Sequence, residues 1–190
     1  MFRYIKSALN IFVLLTVLTG LIYPAAILFV SQTAFSNRAN GSLVSIGNKT
    51  VGSSLLAQSF QGDQWFQPRP SAVGYSGTTS GPSNLALSNP ALSAQIKKLS
   101  ETYRRQNSLS PSTAVPADAV TESGSGLDPN ISLINAELQA PRVAKARSLN
   151  LGVVESLIKN ATSSSPSYLF GTKTVNVVIL NLDLMKLRVR

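Results

Sequence analysis

Histidine and cysteine are both missing from the 190 residues. Their absence removes the imidazole and thiolate on which ordinary zinc, haem and His-dependent nucleophilic sites rely, and with them any disulfide. Nucleophilic chemistry is then left with a serine activated by a lysine, and Ser83, in Ser80-Gly-Pro-Ser-Asn84, is the serine to consider. Ordinary turn chemistry explains the same stretch, because Gly, Pro, Ser and Asn are turn formers. Phosphate binding has no pattern to rest on. A Gly-x-x-x-x-Gly-Lys-Ser/Thr loop is absent, and none of the glycine-rich runs follows a strand and opens a helix. Arg142, Lys145 and Arg147 could clasp a phosphate or an acidic surface, or they could be a solvated helix face. Trp65 and Phe66, followed by the Pro-flanked Arg69, offer an interface anchor or a piece of core. Four Asn-x-Ser/Thr triplets, at Asn40, Asn48, Asn130 and Asn160, are matches that a chain this rich in Asn and Ser produces by chance. No active site is visible, which favours an accessory or binding role over an enzyme.

The elements that must hold these residues can be read from turn and cap chemistry. Ser42–Ile46 and Thr50–Gly52, separated by Gly47-Asn48-Lys49, read as a short hairpin. Ser53 to Phe60 reads as a brief helix, and residues 73–83 as a loop. Asn89 is a good N-cap, and Pro90 suits the first helical position. Leu92, Ile96, Leu99 and Tyr103 then form one apolar stripe, with Lys97, Lys98, Arg104 and Arg105 off it. A Ser/Pro-rich connection runs from Asn107 to about Pro116. Ser132 caps a helix toward Gln139, which Pro141 breaks or restarts. Asn150 caps a further helix with Val153, Val154, Leu157 and Ile158 on its apolar face, and Thr174–Leu184, rich in branched residues, reads as a C-terminal strand. The fold class expected is α+β, with a small sheet, several helices and no internal repeat.

The N-terminal part differs in kind. Between Lys6 and Arg38 there is no charged residue, and Ile11 to Val30 is almost continuously apolar. Twenty residues at about 1.5 Å each span roughly 30 Å, the thickness of a bilayer's hydrocarbon core. The run is too long for a secretory signal, and Ala34-Phe35-Ser36 is a poor cleavage site. Pro24 lies inside this helix and is expected to bend it, and Gly20 nearby points to packing on other helices. The expected organisation is a cytoplasmic tail at 1–6, a transmembrane helix with its flanks at 7–36, and an extracytoplasmic domain at 37–190. The short tail with Arg3 and Lys6 is the end held in the cytoplasm. Beyond the helix lie 15 of the 17 basic residues and all eight acidic ones, leaving +7 on the outer part. Anionic lipid or an acidic protein face is the partner class this suggests, whereas nucleic acid does not fit a domain across the membrane.

Seven motifs in order then resemble a known family. They are Asn40-Gly-Ser-Leu43; Gly52-Ser53 with Gln58 and Phe60; Trp65-Phe-x-x-Arg-Pro-Ser-Ala72; Ser83-Asn-Leu-Ala-x-Ser-Asn-Pro90; Ser123-x-Ser-Gly-Leu-Asp-Pro-x-Ile-Ser132; Pro141-Arg-Val-Ala-x-Ala-Arg147; and Val175-Asn-Val-Val-x-Leu-Asn181. Together they resemble the C subunit of the bacterial potassium-transporting P-type ATPase, the Kdp complex, over nearly the whole chain. The resemblance implies a non-catalytic, single-pass subunit of a high-affinity potassium pump in the bacterial inner membrane. Its implied partners are a potassium-selecting, channel-like subunit, a P-type subunit that hydrolyses ATP, and membrane lipid. It implies roles in assembly and as a catalytic chaperone that raises the pump subunit's ATP affinity. ATP and potassium are then handled by the complex; no metal site is expected in this chain, and whether ATP contacts it directly stays open. The matching positions nominate Ser83, Asn84, Gly126, Asp128, Arg142 and Arg147 for partner contact or nucleotide affinity, with Gln139 as a further candidate outside the motifs, and Trp65, Phe66 and Arg69 for interfaces. Pro82 stands where family members often carry Gly, and it stiffens the loop. An external domain can change nucleotide affinity in the cytoplasm only by coupling through the complex. The alternatives are a membrane-anchored binder of anionic lipid or glycan through Arg142, Lys145 and Arg147, and a Ser-Lys envelope hydrolase using Ser83.

Overall fold

The computed structural model describes residues 2–163 and 171–187. Those parts of the segments 1–6 and 37–190 that fall on residues 1, 164–170 and 188–190 lie outside it. Internal contacts divide the chain into two units, Met1–Val51 and Gly52–Arg190.

The first unit begins with the apolar run as one long helical rod, α1 (Phe2–Val17), a π turn (Leu18–Ile22) and α2 (Tyr23–Ala34). The π turn lies immediately before Pro24. Proline has no N–H for the carbonyl four residues back, so the ladder widens and Tyr23 N–H closes on the Leu18 carbonyl. Two threonine hydroxyls of the rod are absorbed by its own backbone: Thr16 Oγ1 donates to Phe12 O at 2.8 Å and Thr19 Oγ1 to Leu15 O at 2.7 Å. The short helix α3 (Ser36–Ala39) follows, then a hairpin of β1 (Leu43–Ile46) and β2 (Lys49–Ser53), whose last two residues already belong to the second unit. Gly47 takes φ +59° in the hairpin turn, a conformation that suits a residue without Cβ.

The second unit contains α4 (Pro90–Gln106), α5 (Ala117–Val120), β3 (Asn130–Ser132), α6 (Leu133–Arg147), α7 (Leu151–Ala161), β4 (Thr174–Asn176) and α8 (Val177–Leu187). β3 and β4 pair antiparallel with Ile131 opposite Val175. The expected caps form as hydrogen bonds: Asn89 accepts from Ala91 N, Ser132 from Asn135 N and Asn150 from Gly152 N. One core joins the faces of α6, α7, α8 and the β3–β4 pair, with Phe66, Ile131, Val143, Val154, Val175 and Leu184 among its buried members. Each such side chain contributes about 1.5–3 kcal/mol on burial.

Four details differ from expectation. Ser53 ends β2 and residues 54–60 form a turn followed by irregular chain, because the polar groups of this stretch are tied to the domain. Ser53 Oγ accepts Leu55 N, Ala57 N donates to Leu127 O at 2.8 Å, and Ser54 O accepts from Asn176 Nδ2 at 2.8 Å. Pro141 neither breaks nor restarts α6, which runs through it. Pro141 and Glu137, whose carbonyl the ring deprives of a donor, both lie on the exposed face, where water can satisfy that carbonyl, while Ala140, Val143 and Ala144 keep the helix seated in the core. On α7, Val154 and Ile158 are buried and Leu157 is partly so, but Val153 faces outward. Thr174–Leu184 is a three-residue strand followed by a helix. Val177, Leu180, Asn181 and Leu184 are all buried, a spacing of three and four residues that outweighs the β preference of the valines.

Candidate functional site

Tyr103, Asn107, Asn135 and Gln139 are polar and buried, so each needs partners within the domain. Their partners form one continuous network. Asp118, on α5, accepts the Ser132 N–H at 2.7 Å, the Ser132 hydroxyl at 2.9 Å and the Asn135 amide at 2.9 Å. Asn135 Oδ1 in turn accepts the Tyr103 hydroxyl at 2.8 Å and Gln139 Nε2 at 2.9 Å. Gln139 grips the loop opposite by both ends of its amide. Its Oε1 accepts from Gln67 N at 2.8 Å while its Nε2 donates to Gln67 O at 3.2 Å. Arg142 closes the network: it donates to Gln139 Oε1, to Asn107 Oδ1 and to the carbonyls of Asp63 and Trp65, at 2.6–3.0 Å.

Loop 62–67 is therefore held from the α6 side by Gln139, Arg142 and Arg147. Arg147 donates to Gln64 O at 2.7 Å and Leu184 O at 3.1 Å, with its guanidinium 4.3 Å from the centre of the Trp65 ring. Helix α8 holds the same loop from the other side: Asn181 Oδ1 accepts Phe66 N and its Nδ2 donates to Phe66 O, both at 2.9 Å. A two-ended amide grip pairs both backbone groups of a buried residue, as burial demands. Phe66 itself is fully buried in the core, and Trp65 is half-buried beside Phe60.

The electrostatics follow from this burial. The Tyr103 phenol is pushed well above its usual range, first by desolvation and then by Asp118. Burial also raises Tyr75. Desolvation lowers Arg142, with Asp63 as the main opposing charge.

A second polar cluster joins the two Ser/Gly-rich segments. Gly81 N and Ser80 Oγ both donate to Ser125 O, at 2.9 and 3.1 Å, and Ser71 Oγ donates to Gly126 O at 2.6 Å. Gly126 sits at φ +68°, and a Cβ there would lie 2.8 Å from Val73 and 3.0 Å from the Gly81 carbonyl. Arg69 meets Asp128 at 3.4 Å and donates to Glu122 O at 3.0 Å. With Leu55 and Leu56, Arg69, Ser80, Ser125 and Asp128 edge a hollow of about 570 Å³.

The sequence-nominated residues thus fall into two groups and a remainder. Gln139, Arg142 and Arg147 meet around Trp65 and Phe66; Arg69, Gly126 and Asp128 meet at the Ser/Gly junction. A solvated face describes Lys145 but not Arg142 or Arg147, which turn inward because loop carbonyls there need donors. Ser83 and Asn84 stay exposed, Asn84 at φ +56°, and Ser83 has no hydrogen-bonded base among the described residues. The same residues contain no cluster of acids fit to hold a metal ion. Pro24 acts within the first unit, as described. Sequence reading gave Tyr103 only a place in an apolar stripe and Asn107 only the start of a connection, and it named neither Asn135 nor Asn181 as a site residue. The available signal was an amide at helical spacing inside an apolar run, as in Val177-Val-Ile-Leu-Asn181.

The family described as "K+-transporting ATPase, c chain", KdpC, matches residues 5–186. The chain belongs to the KdpC family. It is 43% identical over 187 residues to the "Potassium-transporting ATPase KdpC subunit" of Mycobacterium tuberculosis (strain ATCC 25618 / H37Rv), covering 97% of this chain and 99% of the relative. The proteins of the same name are 44% identical in Pectobacterium atrosepticum over 185 residues, 96% of each chain, and in Pseudomonas putida over 191 residues, 100% and 99%. As a KdpC-family member the chain is a subunit of a potassium-transporting ATPase, and its apolar helix Arg3–Ala34 is long enough to cross a membrane.

Proposed function

We propose that this chain is a non-catalytic, assembly-stabilising subunit of a high-affinity, ATP-driven potassium uptake pump. It is anchored by a transmembrane segment at 7–36, carried by the helix Arg3–Ala34, with residues 1–6 in the cytoplasm and residues 37–190 outside. The network around loop 62–67 supports this reading. Gln139, Arg142, Arg147 and Asn181 all hold the chain's own backbone, which suits a rigid docking body rather than a site for an exchanging ligand. The partners are the channel-like, potassium-selecting subunit and the P-type subunit in which ATP is hydrolysed. The increase in ATP affinity is transmitted through the complex by linkage, so nucleotide binding must in turn strengthen attachment of this subunit. Anionic-lipid or glycan capture gains no support from two guanidiniums already donating to carbonyls.

Deletion of the chain should abolish growth at low potassium, and uptake at the normal rate by a complex lacking it would sink the proposal. Orientation is tested by Ser83→Cys, in a chain without natural cysteine, using a membrane-impermeant thiol reagent on intact cells. Labelling from outside is expected. Protection until the cells are opened, seen also without the partner subunits, would place the domain inside.

A further inference from the structure

The π turn in the apolar rod takes the regular i+4 donors from two backbone carbonyls. In an unbroken α-helix the Thr19 carbonyl would take the Tyr23 N–H, but that N–H closes on Leu18 instead. The Gly20 carbonyl would take the N–H of residue 24, which is proline and has none. Two consecutive carbonyls thus lose the donors a regular helix would give them. The side chains nearest in sequence do not replace those donors, since the hydroxyls of Thr16 and Thr19 donate to Phe12 and Leu15, one turn earlier.

Their depth makes this costly. Gly20 lies nine residues from Ile11 and ten from Val30, so each end of the apolar run is about 14–15 Å away along the helix. At the centre of a bilayer neither water nor acyl chains can donate a hydrogen bond. At the same height Gly20 carries no side chain, so a neighbouring helix can come close to the backbone there. Thr16, one turn below Gly20, shares its face.

We infer that the face carrying Thr16, Gly20 and the freed Thr19 and Gly20 carbonyls is the seat of a transmembrane helix from another subunit of the pump, one that presents a hydroxyl or amide donor at mid-membrane. The complementarity is specific, because a purely aliphatic helix or lipid offers no donor to the Thr19 carbonyl, whose i+4 donor closes on Leu18 and whose i+5 residue is Pro24. A second copy of this rod has its two threonine hydroxyls at this height already engaged; the Tyr23 phenol is its remaining hydroxyl there. Gly20 lets the backbones approach closely enough for a short side chain to reach. The inference rests on the membrane-spanning reading proposed above.

The test uses the full chain expressed with its partner subunits in native membranes. Wild type should resist alkaline carbonate extraction; release into the soluble fraction would overturn the spanning reading, and this docking with it. Gly20→Leu blocks that close approach, and Pro24→Ala returns an N–H to the Gly20 carbonyl. With insertion confirmed by the same extraction, each should lower recovery of partner subunits in mild detergent by about three- to thirtyfold, whereas Ile22→Leu, on the opposite face, should not. A photo-crosslinking residue replacing Thr16 should attach to a helix of another subunit. Wild-type recovery of both variants would overturn the docking while leaving the membrane span intact. So would crosslinks from position 16 that end only on lipid or on a second copy of this chain.

Discussion

Replacing Gln139 by Leu would keep its volume and remove four hydrogen bonds at once, leaving the Gln67 N–H and carbonyl, Asn135 Oδ1 and an Arg142 N–H each one partner short. Unsatisfied buried groups cost about 1–3 kcal/mol each. Gln139→Leu should therefore lower stability by about 3 kcal/mol or more, read as a lower urea midpoint from the fluorescence of the lone tryptophan, Trp65, in micelles. Tyr103→Phe removes one donor and should cost about 1 kcal/mol near neutral pH. Its signature lies at high pH. The folded-state pKa of Tyr103 is raised, so its stabilisation is complete below the usual phenol value of about 10 and declines as the pH climbs above it, where the unfolded chain releases the proton first. Tyr103→Phe should flatten the fall in stability between about pH 10 and 12; an unchanged slope would show that the phenol is not held neutral by the fold. At this scale the sequence was only partly legible. The type and order of the polar residues identified the family, but their pairing joins positions such as 67 and 139, or 66 and 181, and nothing local encodes such a pair.

Between elements, the most exacting position is Gly126. Its left-handed backbone costs an L-residue about 1–2 kcal/mol, and a methyl group there would press on Val73 and the Gly81 carbonyl. Gly126→Ala should loosen the seating of residues 71–84 against residues 123–128. Limited proteolysis should then cut this loop faster than in wild type while the core helices remain protected. Equal cutting rates would mean that the two segments are not mutually supporting. Elements whose signals are local were readable from sequence. Asn89-Pro90, Ser132 and Asn150 announce the starts of α4, α6 and α7 because a cap and its first turn are neighbours in the chain. Pro141 was read too strongly, since its cost depends on whether the freed carbonyl faces water. α8 was misread because Val-Val-Ile-Leu suits a strand locally, and only its packing against α7 and loop 62–67 selects the helix.

For the whole molecule, the division at Val51/Gly52 falls within β2 and separates an apolar rod and most of the hairpin from a domain whose ties reach across its sequence. Asn181→Ala should be among the most damaging single changes within the second unit, because it strands both backbone groups of the buried Phe66 and leaves a void. A loss of about 2–4 kcal/mol is expected, together with reduced accumulation of the assembled pump on quantitative immunoblots. Unchanged abundance and stability would show that loop 62–67 is held without α8. The same tie constrains manufacture. A ribosome adds roughly 5–20 residues each second, so Phe66 emerges on the order of ten seconds before the Asn181 that will clasp it. Throughout that interval the aromatic pair Trp65-Phe66 has no final seat, and a chain interrupted anywhere before α8 carries a sticky, unfinished loop. Loop 62–67 thus gains its hold from α8 only after residue 181 has been made.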